Sequence, residues 1–172
     1  SEFRYRDPVV GRSTLVIAIS QSGETADTLE ALRHARAQKA WVLAVTNTVG
    51  STVSRESDAV FYTRSGPEVA VASTKAVIAQ LAAMYVVGLY LAQVRGTRDP
   101  DEVRAHLRDL QEIPDLIAEV LTRMEPVRAL ARDLVDEPRV LFLGRHVGYP
   151  MALEGALKLK ELAYISAEGF PA

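Results

Sequence analysis

Thr14-Leu15-Val16-Ile17-Ala18-Ile19, followed at once by Ser20-Gln21-Ser22-Gly23-Glu24-Thr25, decides the fold. The apolar run is short, rich in β-branched residues and does not alternate with polar ones. That suits a strand buried on both faces of a parallel sheet. The polar stretch then gives way to a helical pattern reaching about Lys39, with Ala26, Leu29, Leu32 and Ala35 spaced by threes along its apolar stripe. Outward from there, a second strand is predicted at Trp41–Thr46, a turn-rich loop at Asn47-Thr48-Val49-Gly50-Ser51, and a third strand at Ala59–Tyr62. Strand and helix in alternation predict an α/β fold, a parallel sheet covered by helices.

Composition agrees with a globular chain. Of 172 residues, 48% are apolar and 24% charged, which argues against disorder. Length alone fits one domain. Twenty basic against 22 acidic residues leave a net charge of −2, without the basic balance that phosphate-gripping nucleic-acid binders carry, so no nucleic-acid partner is expected. There is no cysteine, which removes disulfides, thiolate metal sites and a cysteine nucleophile. His34, His106 and His146 are scattered, so no metal site is expected, and His34 and His106 are placed on solvated helix faces.

Ala76–Ala92 is almost wholly apolar. At about 1.5 Å per residue it barely reaches the roughly 30 Å hydrocarbon core of a bilayer. The neighbouring strands favour a buried helix covering the sheet over a membrane span. Gly96-Thr97-Arg98-Asp99-Pro100 is a break, with Asp99 suited to cap a helix and Pro100 to open it. Amphipathic helices with solvated charged faces follow to about Asp136, interrupted at Pro114 and Pro126. A further strand is predicted at Arg139–Leu143, a loop at Gly144–Tyr149, and a helix from Pro150 to about Ala163. Strand, loop and helix thus occur twice, on either side of the break.

Two places can carry chemistry. The Ser20–Thr25 stretch lies where a strand feeds a helix, the crevice in which α/β sheets bind ligands. A helix start offers backbone N–H groups and a partial positive charge to a phosphate. Ser20, Ser22 and Thr25 add hydroxyls, and Gly23 permits close approach. The stretch has no lysine, so it is not a nucleotide P-loop. The plainer alternative is helix capping by Ser22. The second place is the helix after Pro150. Relative to Glu154, Lys158 lies near +40° and Glu161 near −20° at about 100° per residue, a stripe roughly 60° wide. The rest of that helix is nearly all apolar, which predicts burial, and a carboxylate beside an ammonium in a partly dry pocket can act as a general base. The plainer alternative is an exposed i, i+4 pair. A lesser candidate is Ser73, able to cap the apolar helix or face a ligand.

Five segments in order resemble the isomerase half of the glucosamine-6-phosphate synthase (glutamine–fructose-6-phosphate aminotransferase) family. They are Ser1–Arg6, Ser20–Thr28, Val71-Ala72-Ser73-Thr74-Lys75, Leu143-Gly144-Arg145 and Ala152–Glu161. The resemblance spans essentially the whole chain. It implies two sugar isomerase (SIS) domains, each a Rossmann-like three-layer α/β/α sandwich on a parallel sheet, and both incomplete here: residues 1–98 from the first and 99–172 opening the second. It implies that Ser20, Gln21, Ser22 and Thr25 hold the sugar phosphate and that Val71, Ala72 and Ser73 line the sugar. Glu161 matches the carboxylate that moves a proton between sugar carbons 1 and 2, Lys158 a lysine acting beside it, and Glu154 a supporting carboxylate. The implied reaction aminates fructose 6-phosphate at carbon 2 and isomerises the product to glucosamine 6-phosphate. It needs no cofactor and uses ammonia from a separate glutaminase domain. A homodimer in the cytoplasm, without a membrane, is also implied.

The chain departs from that pattern. The family's glutaminase domain is absent, as are a Cys-Gly-Thr-Ser substrate loop expected before Ser1, a histidine-bearing segment expected after Ala172 and a mobile tail bearing a lysine. Ala70 stands in place of a usual Gly, Ser166 of a His, and Pro171 of an Ala. The chain is therefore expected to be an internal piece of such an enzyme, inactive as a synthase by itself. The alternative is a non-catalytic, regulatory SIS module that binds a sugar phosphate without needing Glu161.

Overall fold

The computed structural model describes residues 2–69 and 72–172. The chain forms two compact units, Ser1–Leu110 and Gln111–Ala172, each with its own sheet.

The first unit runs α1 (Glu2–Tyr5), β1 (Leu15–Ser20), α2 (Ala26–Ala37), β2 (Trp41–Thr46), α3 (Thr52–Glu56), β3 (Ala59–Tyr62) and α4 (Lys75–Val94). Its sheet has the order β1-β2-β3 with every pairing parallel. Ser20 stands opposite Thr46, and Thr46 opposite Tyr62, so all three strands end level. Their following loops therefore leave from one edge of the sheet. Strand side chains alternate between faces. Val16, Ala18, Val42, Ala44 and Val60 pack with Leu29, Leu32 and Ala35 of α2 and Val53 of α3. Burying each large aliphatic side chain there contributes roughly 1.5–3 kcal/mol. On the other face Leu15, Leu43 and Phe61 meet Val86, Val87, Tyr90 and Leu91 of α4 around an apolar cavity of about 480 Å³. The sheet of this unit is thus covered by helices on both faces, as the sequence predicts.

Helix α4 departs from expectation. It buries only Ala76, Ala83, Val87 and Leu89 among its described residues, and Ile78, Leu81, Tyr85, Tyr90 and Val94 stay exposed. A helix apolar on every side needs neighbours on every side, and a three-stranded sheet covers one. Its length and composition would also suit a membrane crossing.

Helix α5 (Pro100–Thr122) starts where the sequence places a start. Asp99 Oδ1 accepts the Asp101 N–H at 2.7 Å, while Glu102 Oε2 accepts the Asp99 N–H at 3.1 Å, a reciprocal capping box. The interruption predicted at Pro114 does not occur, because α5 runs through it. Pro114 lacks the N–H that would bond the Leu110 carbonyl, and Leu110 is only half-buried, so that carbonyl is not sealed in a core. The compact units divide within this helix, beyond the break at Gly96–Pro100.

The second unit continues with α6 (Glu125–Asp133), β4 (Arg139–Gly144), α7 (Gly148–Ala163) and β5 (Ser166–Pro171). Pro126 lies in the first turn of α6, where its missing N–H costs nothing. Strands β4 and β5 are parallel, with Arg139 opposite Ser166 and Gly144 opposite Pro171, and α7 crosses between them. The near-complete burial predicted for α7 is not found. Only Ala152 and Ala156 are buried, while Met151, Leu153, Leu157 and Leu162 remain exposed. Two strands again cover one side of an apolar helix.

Candidate functional site

The loop from Ser20 to Thr25 is built from hydrogen bonds among its own residues. Ser20 ends β1 almost buried, and its Oγ accepts the Gly23 N–H at 3.0 Å and lies 2.9 Å from Thr25 Oγ1. Ser22 Oγ accepts the Glu24 N–H at 3.1 Å. The Gln21 carbonyl accepts the Asn47 N–H at 3.1 Å, with Thr46 Oγ1 at 3.4 Å and Thr48 Oγ1 at 3.5 Å. The loop is therefore fastened to the end of β2.

Gly23 has φ +68°, and a Cβ added there would sit 2.1 Å from Ser51 Oγ and 3.0 Å from Thr46 Oγ1. Sequence reasoning gives this glycine to close approach of a ligand. In the structure the close approach is to the chain's own Ser51, which is 2% exposed and whose Oγ has no hydrogen-bond partner among the described residues. Short α3 supports the loop from below. The Gly23 carbonyl accepts the Val53 N–H at 2.9 Å, and Glu24 Oε1 accepts the Thr52 N–H at 2.7 Å. That backbone donor holds the Glu24 carboxyl below its ordinary value.

Capping by Ser22 is overturned. The residue preceding α2 is Thr25, and it makes no side-chain cap. Its hydroxyl is turned to Ser20 instead, so the helix start keeps its character as an anion-attracting end. Ser22 Oγ–H and the Gln21 side chain have no acceptor or partner among the described residues, which suits them to donate to an oxyanion.

A similar substitution occurs at α4. Ser73 does not cap it. Glu68 does, its Oε2 accepting the Ala76 N–H at 3.1 Å and its Oε1 lying 3.4 Å from Thr74 Oγ1. Ala72 is buried and Ser73 half-buried, with no hydrogen bond to Ser73 among the described residues. Val71 lies outside the described residues.

Sequence reasoning leaves Asn47 inside an unremarked turn. It links the loops instead. Its Oδ1 accepts from Thr63 Oγ1 at 3.1 Å, Ser65 N–H at 2.9 Å and Ser65 Oγ at 3.0 Å, and its Nδ2 donates to the Gly66 carbonyl at 2.7 Å. An Asn at a strand end before a Gly-containing turn is the only sequence signal for this.

In the second unit, Glu154, Lys158 and Glu161 meet as helical spacing predicts. Lys158 Nζ lies 2.8 Å from Glu154 Oε1 and 3.6 Å from Glu161 Oε2. Side-chain exposure is 23% for Lys158, 30% for Glu154 and 41% for Glu161. Glu154 Oε1 is itself enclosed and its contact with Lys158 lacks hydrogen-bond alignment, so it acts as an ion pair. The ammonium is thus anchored from the covered side, and Glu161 is the more exposed of the two carboxylates. Lys160, outside the stripe, pairs with Glu168 at 3.6 Å.

His34 is half-buried rather than solvated, edge-on to Phe3 and 2.7 Å from Gln38 Nε2. His106 is bonded to Tyr85 Oη at 3.0 Å. No group of three or more metal-ligating side chains occurs among the described residues.

Comparison with known proteins gives these positions a context. The SIS domain family model matches residues 1–90. The glutamine–fructose-6-phosphate aminotransferase [isomerizing] of Mycolicibacterium paratuberculosis is 67% identical over all 172 residues, which span 28% of that protein. The enzyme of the same name from Mycolicibacterium smegmatis is 68% identical over the same residues, 27% of its length. The chain thus spans about a quarter of the length of these relatives. Among solved structures, the C-terminal domain of glucosamine-fructose-6-phosphate aminotransferase from Francisella tularensis aligns over 99% of this chain and 48% of that one, with TM-score 0.94 and 40% identity.

Proposed function

The chain belongs to the SIS domain family, and from that premise we propose that it is part of the isomerase half of a glutamine–fructose-6-phosphate aminotransferase. The observation that carries this is identity of 67–68% along the entire chain to enzymes of that name. The proposal extends to the complete protein: a glutaminase domain supplying ammonia, a homodimeric assembly and a cytoplasmic location.

The two units would contribute differently. In the first, Ser20, Gln21, Ser22 and Thr25 surround the start of α2, and we assign them to the phosphate of fructose 6-phosphate. Ser22 and Gln21 donate directly, while Ser20 and Thr25 hold the loop's shape through their mutual bond. Val71, Ala72 and Ser73 are assigned to the sugar.

In the second, the assignment follows from what the reaction requires. Ammonia adds to the carbon-2 carbonyl of fructose 6-phosphate, and loss of water leaves an imine. A base then removes a proton from carbon 1, and return of a proton to carbon 2 gives the amino sugar with its aldehyde at carbon 1. Glu161, the most exposed member of the trio, is assigned to both proton transfers. A positioned carboxylate in that role accelerates such steps by about 10²–10⁴. Lys158, anchored by Glu154, carries the ammonium that stabilises negative charge developing on the sugar oxygen.

The test uses the full-length protein supplied with fructose 6-phosphate and glutamine. Glucosamine 6-phosphate must form, and Glu161→Gln must abolish its formation while leaving fructose 6-phosphate binding in place. Turnover that survives Glu161→Gln would remove the catalytic assignment and leave a sugar-phosphate-binding module.

A further inference from the structure

We infer that Asn47 is a positioning residue for the sugar-phosphate site, setting the phosphate loop and the approach to the sugar-lining segment in one fixed relation. The inference rests on the function proposed above and adds a residue which that assignment does not use.

Three loops leave the same edge of the first unit's sheet. The first, after β1, is the Ser20–Thr25 loop. The third, after β3, passes through Thr63–Gly66 and leads toward Ala72 and Ser73. Asn47 begins the middle one, after β2, and is bonded to both others. Its backbone N–H holds the Gln21 carbonyl at 3.1 Å. Its side chain makes four bonds to the third loop, three through Oδ1 and one through Nδ2. The backbone donor at Ser65 and the backbone acceptor at Gly66 fix which end of the amide is which. No other residue type of this size both accepts and donates at the two points required.

The held segment cannot set its own path. Arg64 has φ 51° and Gly66 φ 72°. A left-handed arginine is sterically unfavourable and persists only where its surroundings impose it. Asn47 bonds the residues on either side of Arg64. The far end of the segment is fastened separately, by Glu68 at the start of α4. Only Pro67 lies between Gly66 and Glu68, so Asn47 sets where the third loop stands relative to Gln21 up to the point at which Glu68 takes over.

The variants Asn47→Asp and Asn47→Ala grade the effect. Asp keeps an acceptor for Thr63 and Ser65 but faces the Gly66 carbonyl with an oxygen instead of an N–H. Ala removes all four side-chain bonds and keeps the backbone bond to Gln21. One net hydrogen bond corresponds to about a fivefold change in an equilibrium constant. In the full-length protein, the KM for fructose 6-phosphate should rise about fivefold in Asn47→Asp and more than tenfold in Asn47→Ala, with kcat within about threefold of the parent. Should Asn47→Ala fail to fold, Ser65→Ala carries the test, since it deletes one hydroxyl from the same cluster and should raise KM about two- to threefold. Unchanged KM in all variants that fold, with only a lowered Tm, would overturn the inference and leave Asn47 a stabilising residue. The same result follows if kcat falls and KM stays. If the parent protein neither binds nor turns over fructose 6-phosphate, the proposed function fails first and takes this inference with it.

Discussion

The chain contains the same device twice, β1–loop–α2 and β4–loop–α7, and the two copies carry their polar groups in different places. In the first, the loop holds the polar groups and the helix is ordinary. Leu29, Leu32 and Ala35 face the core, and the charges of α2 point outward to Arg4 and Glu56, the latter in a two-pronged pair with Arg33 at 2.8 and 2.9 Å. In the second, the loop is bare of hydroxyl side chains and the helix carries the ionisable trio. The difference shows what each setting is good for. A loop at a helix start gathers small hydroxyls and N–H groups around an anion. A helix holds long charged side chains at fixed spacing, so an ammonium and two carboxylates keep their mutual distances.

The strongest way to break this comparison is at the trio. Lys158→Met removes the ammonium and leaves the enclosed Glu154 oxygen unpaired. Turnover of the full-length protein should fall by about 10²–10³ while fructose 6-phosphate still binds. Loss of binding with turnover unchanged at saturation would reverse the assignment of the two copies.

The loops can be compared through their glycines. Gly23→Ala drives a methyl group into Ser51 at a left-handed φ, and should destabilise the first unit by about 2–4 kcal/mol in denaturant unfolding. Gly50→Ala meets open space at φ +73° and should cost only about 1 kcal/mol. Gly144 ends β4 with an allowed φ, yet a Cβ there would sit 2.1 Å from the Gly148 carbonyl. Gly144→Ala should therefore destabilise the second unit through collision alone. Equal costs for Gly23→Ala and Gly50→Ala would show that the Ser51 contact does not shape the Ser20–Thr25 loop.

The smallest effect concerns pH. Glu24 is held below the ordinary carboxylate value of 4.5 by the Thr52 N–H. Its folded form is favoured while ionised, so its contribution is present above the unfolded value and is lost as pH falls through the lowered folded value. Glu24→Gln should be slightly less stable than the parent at neutral pH, and the gap should close in acid. A gap that stays constant with pH would mean the bond between the loop and α3 does not depend on the charge.

Much of this was legible from residue patterns. Trp41–Thr46 and Ala59–Tyr62 form strands with the predicted bounds, because uninterrupted apolar runs have few alternatives inside a parallel sheet. The stripe of Glu154, Lys158 and Glu161 follows from helix geometry alone. Other features depend on contacts that no local window contains. Helix α3, Thr-Val-Ser-Arg-Glu, is too short and polar to be seen, and exists because Val53 is buried and Glu24 holds its first N–H. Strand β5, Ser-Ala-Glu-Gly-Phe-Pro, contains both residues that usually exclude a strand, and forms because β4 offers it a ladder. Ser22 and Ser73 were reasonable caps by residue type. The caps are absent or made elsewhere because Thr25 turns to Ser20 and Glu68 reaches α4 from outside the helix. Asn47 was invisible for the same reason, since its partners lie 16 to 19 residues away.

The central claim is a division of labour, with binding in the first loop and proton transfer on the last helix. It is tested most directly by measuring fructose 6-phosphate affinity and kcat side by side in full-length Ser22→Ala and Glu161→Gln. Ser22→Ala should weaken binding about tenfold or more with kcat nearly unchanged, and Glu161→Gln should lower kcat about 10²–10⁴ with affinity within about threefold. Two variants that both lose affinity and keep kcat, or a Glu161→Gln enzyme that turns over normally, would contradict it.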